Sequence, residues 1–327
     1  MLGFLRTGAA VLAICALLTS CAPDVAQPGA ERLVVNVGGL RGPTGMALAG
    51  MKDAARNGLA RHDYQVTFDG APDQIQSKLL NGELDIAAIT TNLAAVLYNR
   101  TEGEIRLIAV SRMNVLSIMQ APGADINSIA DLAGKTLFSA GQGSAQEYIL
   151  EYLLRENGLD PETDLNIEYK SENAEVAALL LAGECDAALL PQPFVTTVTG
   201  QDAQITVALD INTEWDALSG GVELAMSCIV ARAAFAGEHP EAIADFLEDY
   251  AASITFANEN TDAAAALIGE FEIIPEPVAK KAIPLSDIRC ITGEEMKAAV
   301  NAYLDVLFRQ NPRAVGGALP DERFYFP

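Results

Sequence analysis

Two stretches about a hundred residues apart constrain this chain more than any other feature. Residues 82–92 read Gly-Glu-Leu-Asp-Ile-Ala-Ala-Ile-Thr-Thr-Asn, and residues 183–193 read Gly-Glu-Cys-Asp-Ala-Ala-Leu-Leu-Pro-Gln-Pro. Each is a turn, then an apolar run of buried-strand length, then a polar or proline-containing break. At a constant offset of 101, residues 64–92 lie on 165–193 without a gap, with identity at Leu79/Leu180, Leu80/Leu181, Gly82/Gly183, Glu83/Glu184, Asp85/Asp186 and Ala87/Ala188. Asn57-Gly58-Leu59 and Asn157-Gly158-Leu159 sit near the same offset. The match arises either by duplication or because strand-helix-strand units share one grammar. Both origins give two similar α/β lobes.

The flanking pattern supplies the rest of each lobe. Residues 33–37, 64–68 and 84–89 have strand character, with helices expected over 46–58, 74–81 and 93–98. That alternation is the grammar of a mainly parallel sheet covered on both faces. Residues 105–110 and 116–120 are again extended and apolar. The alternation then restarts: a short helix and turn over 128–134, strands at 136–139, 165–169 and 185–190, and helices from Ser144 to about 157 and over 174–182. Ser144 followed by Glu147 forms a capping-box sequence. Residues 224–231 read as a strand returning to the first lobe. Helices are expected over 240–258, 261–270, 275–282 and 294–308, ahead of a polar, Gly-rich and aromatic tail. The two crossings, near Leu116 and Met226, would form a two-stranded hinge.

The N-terminus has a different character. Arg6, an apolar run over 9–18 and Leu18-Thr19-Ser20-Cys21 resemble a bacterial lipoprotein signal, with cleavage before Cys21 leaving that cysteine lipidated. The alternative is an ordinary secretory signal with an incidental cysteine. The expected organisation is a signal peptide (1–20), a tether (21–32), a first lobe (33–115 with 231–327) and a second lobe (116–230). With 44 acidic and 21 basic residues the formal charge is −23, which argues against nucleic-acid partners and does not steer anions inward from a distance. Cys185, Cys228 and Cys290 are an odd number, lie far apart and show no metal spacing, so they read as small buried hydrophobes. His62 and His239 read as solvated or capping residues. No Gly-x-Ser-x-Gly turn, His-Glu-x-x-His or phosphate-binding Gly-rich loop is present.

The export signal, Asp131-Leu132-Ala133-Gly134-Lys135-Thr136, Gly141-Gln142-Gly143-Ser144, the paired Gly-Glu-x-Asp strands and Pro191-Gln192-Pro193-Phe194 together resemble the substrate-binding proteins of ABC importers. The resemblance spans residue 33 to the tail, and the branch it is most similar to includes nitrate-, alkanesulfonate- and thiamine-precursor-binding proteins. It implies a type II periplasmic binding protein fold, whose two α/β lobes close on a small molecule and present it to a permease. Matched residue by residue, it places Leu40, Arg41, Gly42, Pro43, Thr44, Ala71, Pro72, Asp73, Thr90, Thr91 and Asn92 at the cleft in the first lobe. In the second lobe it places Gln142, Gly143, Ser144, Gln192 and Phe194 there. Backbone N–H groups at the helix starts after Thr44 and Ser144, with Arg41, would hold a carboxylate, sulfonate or phosphate.

The resemblance thus implies a lipid-anchored, extracytoplasmic, monomeric binding protein for a small polar or anionic organic solute. Catalytic residues, metal and cofactor are not expected. The alternatives are a ligand-sensing receptor subunit and, on the same fold, a heterocycle-metabolising enzyme. The pyrimidine-synthesising relatives carry a cysteine cluster that this sequence lacks.

Overall fold

Alternating apolar positions and closely spaced turns divide the described residues into eleven strands and twelve α-helices. The structure, a computed structural model, describes residues 32–112, 116–286 and 288–327. The first elements are β1 (Val34–Leu40), α1 (Pro43–Arg56), β2 (Asp63–Asp69), α2 (Pro72–Leu80), β3 (Ile86–Thr90) and α3 (Thr91–Arg100). Next come β4 (Ile105–Arg112) and β5 (Leu116–Gln120), then a single 3₁₀ turn at Ile129–Leu132. The second alternation is β6 (Thr136–Ala140), α4 (Ala145–Glu156), β7 (Asn166–Lys170), α5 (Asn173–Leu181), β8 (Ala187–Pro191), α6 (Phe194–Gln201), β9 (Thr206–Asp210) and α7 (Ile211–Ser219). The remainder is β10 (Ser227–Arg232), α8 (Ala233–Glu238), α9 (Pro240–Glu259), α10 (Thr261–Glu270), α11 (Glu276–Ala282), β11 (Arg289–Ile291) and α12 (Gly293–Gln310).

The strands form two sheets, ordered β11-β4-β10-β3-β1-β2 and β7-β6-β8-β5-β9. Apart from the edge strand β11, the two orders are the same, with β10 and β5 in corresponding places. β1 runs parallel to β2 and β3, and β6 runs parallel to β7 and β8. β10 pairs antiparallel with β3 and β4, and β5 pairs antiparallel with β8 and β9. Both of these reversed strands arrive from the other lobe. Most strands in each sheet run one way, as the alternation predicts; the exceptions are the two crossing strands and the short edge strand β11, which pairs antiparallel with β4. The chain crosses between β4 and β5 and returns between α7 and β10. Because β10 is paired from Ser227 onward, the break expected between 230 and 231 falls inside a strand of the first sheet.

The internal echo has a structural basis. α2 and α5, and β3 and β8, superpose at the 101-residue offset end for end. Asp85 Oδ2 accepts from Asn36 N of β1 at 2.9 Å, and Asp186 Oδ2 accepts from Thr136 N of β6 at 2.8 Å. The backbone completes each link, with Asp85 N donating to Asn36 O and Asp186 N to Thr136 O. Gly82 and Gly183 adopt φ of 78° and 75°, a conformation that other residues rarely take. The repeated Gly-Glu-x-Asp is thus a strand-positioning turn.

One apolar cluster, with Phe246, Tyr250 and Met46, covers a face of the first sheet, and another, with Phe138 and Val176, covers a face of the second. A third runs through both, from Leu107 and Val110 to Ile118, Trp215 and Tyr303. The tail is part of it: Phe324 and Tyr325 are buried, and Tyr325 bridges to Leu107 of β4. Cys185 and Cys228 are buried, Cys290 is half-buried, and all three are free thiols. Burial pushes the Cys228 thiol up to about 12. His62 is buried rather than solvated: its Nδ1 accepts from Leu33 N and its Nε2 faces Asp245 at 3.2 Å. The expected signal peptide, the tether up to residue 31 and Cys21 lie outside the described residues. Among the described residues no helix is long and apolar enough to cross a membrane.

Candidate functional site

Ligands of α/β sheets gather where parallel strands end and helices begin. Here the strand-helix junctions β1–α1, β2–α2 and β3–α3 of the first lobe face β6–α4, β7–α5 and β8–α6 of the second across one cavity of about 590 Å³. Thr44, Pro72 and Thr90 line it from the starts of α1, α2 and α3, and Ser144, Asn173 and Phe194 from the starts of α4, α5 and α6. Six helix N-termini, each with the positive end of a peptide-dipole array, therefore point at one space. Its volume is that of a small-molecule site.

Local hydrogen bonding prepares each wall. Thr44 Oγ1 accepts from Leu40 N at 3.1 Å, folding the β1–α1 turn on itself and leaving the hydroxyl proton available. Arg41 N donates to Asp69 O at 2.8 Å, which fixes Arg41 between two loops. Its exposed guanidinium lines the cavity and has no hydrogen-bond or ion-pair partner among the described residues. In the second lobe Ser144 Oγ accepts from Gln146 N, and the Glu147 carboxylate reaches back to Gly143 N. The reciprocal capping box expected from Ser144 and Glu147 does not form: the serine bonds the amide one residue early, and Ser144 N donates to Gly141 O instead of to Glu147. Gly141, at φ 73°, is needed there, because an added Cβ would lie 2.5 Å from Ser144 Oγ.

The walls between these polar points are apolar: Leu40, Phe194, Met226, Ile273 and Ile274. Two carboxylates, Glu172 and Glu272, stand exposed on the lining. The balance is one cation and six helix starts against two solvated carboxylates. At physiological salt, screening over about 8 Å also limits the reach of the chain's overall acidity, so the nearby donors dominate inside the cavity.

Of the residues expected at the cleft, Leu40, Arg41, Thr44, Pro72, Thr90, Ser144 and Phe194 line the cavity. Gly42, Ala71, Asp73, Thr91, Asn92, Gln142, Gly143 and Gln192 do not, and the side chain of Pro43 lies outside what the structure describes. Asn92 is fully buried and holds the region together: its Nδ2 donates to Gly143 O at 3.3 Å and Ala314 O at 3.4 Å, while its Oδ1 accepts from Thr90 Oγ1. Gln192 turns inward to cap α6, its Oε1 accepting from Thr196 N and Oγ1. Asp73 is exposed and bonds the backbone of Gln74.

Among the lining residues that sequence reasoning missed are Gln146, Ser171, Glu172, Asn173, Ala174 and the wall from Gly269 to Pro275. The repeat held the signal for three of them, since residues 71–73 map at the same offset onto Glu172, Asn173 and Ala174. The α10–α11 wall gave no such signal. Its Glu272 takes φ 54° after α10, where glycine is usual, with its N–H on Gly269 O and Ile273 N on Ile268 O. Among the described residues no group of three or more His, Cys, Asp or Glu side chains is placed to hold a metal ion.

Two mixed α/β lobes around a cavity ringed by helix starts define the class of two-lobed periplasmic binding proteins. The chain belongs to the family described as ABC transporter, phosphonate, periplasmic substrate-binding protein, whose model matches residues 60–272. It is similar in structure to an ABC transporter from Parabacteroides distasonis, with 25% identity, 90% of this chain and 99% of that chain covered, and a TM-score of 0.74. The aliphatic sulphonate binding protein SsuA from Escherichia coli is similar at 20% identity, 87% and 94% coverage and a TM-score of 0.70. The nitrate-binding protein NrtA from Synechocystis is similar at 14% identity, 86% and 82% coverage and a TM-score of 0.61. No curated protein sequence matches the chain. The protein is accordingly a substrate-binding component of an ABC importer, acting outside the cytoplasm with a permease partner. Its family and neighbours are transport proteins rather than enzymes.

Proposed function

We propose that this protein captures a small organic anion, of the phosphonate, sulfonate or acidic vitamin- or pyrimidine-precursor class, in the cavity between its lobes. It then hands the solute to its permease while tethered to the membrane through lipid on Cys21. The observation that carries this reading is the convergence of six helix starts and the unpartnered Arg41 on one space. An anionic head would take backbone N–H groups and the guanidinium fork. The apolar stretch from Phe194 and Met226 to Ile273 favours a solute with a carbon skeleton over an ion of nitrate's size, which would leave most of the cavity unfilled. Binding would draw the lobes together about the two crossings, since a ligand touching both walls favours the closed state by its differential affinity.

A thermal-shift panel of phosphonates, sulfonates, nitrate and pyrimidines on the unlipidated chain tests the class. A ligand at a hundred times its Kd adds about 2.7 kcal/mol of stability. Arg41→Ala should then weaken the best hit by about 1.5–3 kcal/mol, roughly ten- to a hundredfold, without lowering the melting temperature of the free protein. Unchanged affinity would remove Arg41 from the site, and a best hit without an anionic group would overturn the reading.

A further inference from the structure

Gln146 is the second residue of α4, lines the cavity and is only 9% exposed. Its Nε2 is engaged, donating to Asn173 Oδ1 at 3.4 Å. Its Oε1 has no donor among the described residues and lies beside Gly141, where an added Cβ would come within 3.8 Å of it. Across the cavity, Thr44 is 8% exposed, and its Oγ1 already accepts from Leu40 N, so its proton is free to be given. Donors come from both walls, from Thr44, Arg41 and the helix starts of each lobe, whereas Gln146 Oε1 is an amide acceptor on the lining with no donor of its own among the described residues.

Resting on the anion reading, we infer that Gln146 is a specificity determinant that selects solutes carrying an O–H or N–H donor on the skeleton away from the anionic head. A plain alkyl anion would satisfy the first lobe and desolvate Gln146 Oε1 without replacing its water. Leaving a buried acceptor unmade costs more than the matched bond contributes. Selection of this kind is steep, because a site built to hydrogen-bond a hydroxyl rejects the analogue lacking it. The exposed Glu172 and Glu272 also accept hydrogen bonds, but their contact with solvent makes them weak discriminators beside the sheltered amide.

The test compares plain and terminally hydroxylated ethyl-, propyl- and butylphosphonates, with the matching sulfonates, by titration calorimetry. In the wild type the best hydroxylated member should bind at least about tenfold more tightly than its plain partner. In Gln146→Met, which keeps the side-chain length and removes the amide, that ratio should fall to within about twofold through loss on the hydroxylated member alone. Gln146→Ala provides the same comparison should the methionine variant not fold. A wild-type preference for plain chains, or a hydroxyl preference that survives both variants, overturns the role of Gln146 while leaving the anion reading intact. Binding of neither series overturns this inference, and the anion reading falls with it when the acidic vitamin and pyrimidine precursors also leave the melting temperature unchanged.

Discussion

Asp85 and Asp186 hold corresponding positions in the two sheets, yet their surroundings differ. Asp186 accepts from Thr136 N alone among the described bonds. Asp85 accepts from both Asn36 N and Asn36 Nδ2, and its Oδ1 pairs with Arg232 Nη2 at 2.7 Å, binding β1, β3 and β10 at one point. Arg232 also donates from Nε to Leu84 O, so its guanidinium is fixed against the strand. Removing Asp85 strands a partly buried cation as well as a backbone N–H. Asp85→Ala should therefore cost about 2–4 kcal/mol and Asp186→Ala about 1–2 kcal/mol, as read by urea denaturation of the two variants. Equal losses would mean that the Arg232 pair contributes nothing. The identity that made these positions conspicuous in the sequence thus reflects strand placement, whereas positions that differ between the copies, such as Pro72 and Asn173 or Thr90 and Pro191, line the cavity.

At the scale of elements, what was legible followed periodicity and punctuation. Residues 261–270 form α10 to the residue, and the expected strands at 64–68 and 116–120 fall within or on β2 and β5. Residues 194–219 carry no clear periodicity, and α6, β9 and α7 lie there. α6 reads Phe-Val-Thr-Thr-Val-Thr-Gly-Gln, whose β-branched residues favour a strand in isolation; packing against α5 and β8 overrides that preference. α8 and β11 were missed because each spans too few residues for a period to register. Part of the cleft was legible because βα junctions announce themselves with Gly, Pro, Thr and Ser. The α10–α11 wall was not, since its residues reach the cavity only through tertiary packing. The β6–α4 turn makes a prediction. Gly141→Ala would put a methyl group 2.5 Å from Ser144 Oγ at φ 73°. The start of α4 must then shift, at a cost of about 1–3 kcal/mol in stability, and ligand affinity should fall with it. Wild-type values in both calorimetric unfolding and ligand titration would show that the turn tolerates a side chain.

For the molecule as a whole, the continuous apolar cluster determines where the lobes can pivot. Trp215, the chain's single tryptophan, is fully buried on α7 of the second lobe. Its ring lies 5.0 Å from that of Tyr152 on α4 and 5.8 Å from that of Tyr303 on α12, and its Nε1 donates to Val222 O in the returning crossing at 2.7 Å. α12 packs in turn on α3 and β4 of the first lobe, so this aromatic group joins both lobes and a crossing. Close-packed side chains have discrete arrangements and do not stretch smoothly. Closure on the proposed ligand should therefore rotate the lobes about this cluster, with displacement growing toward the far rim, where Glu172 already approaches Gly70 closely enough that a Cβ there would stand 3.0 Å from its Oε1. Tryptophan emission gives a direct test, because no other indole contributes. Saturating ligand should leave the emission maximum at its buried, blue position while small-angle scattering records a smaller radius of gyration. A red-shifted emission in the free protein that moves blue on binding would place Trp215 on a surface that opens, and would move the pivot away from the α4–α7–α12 junction.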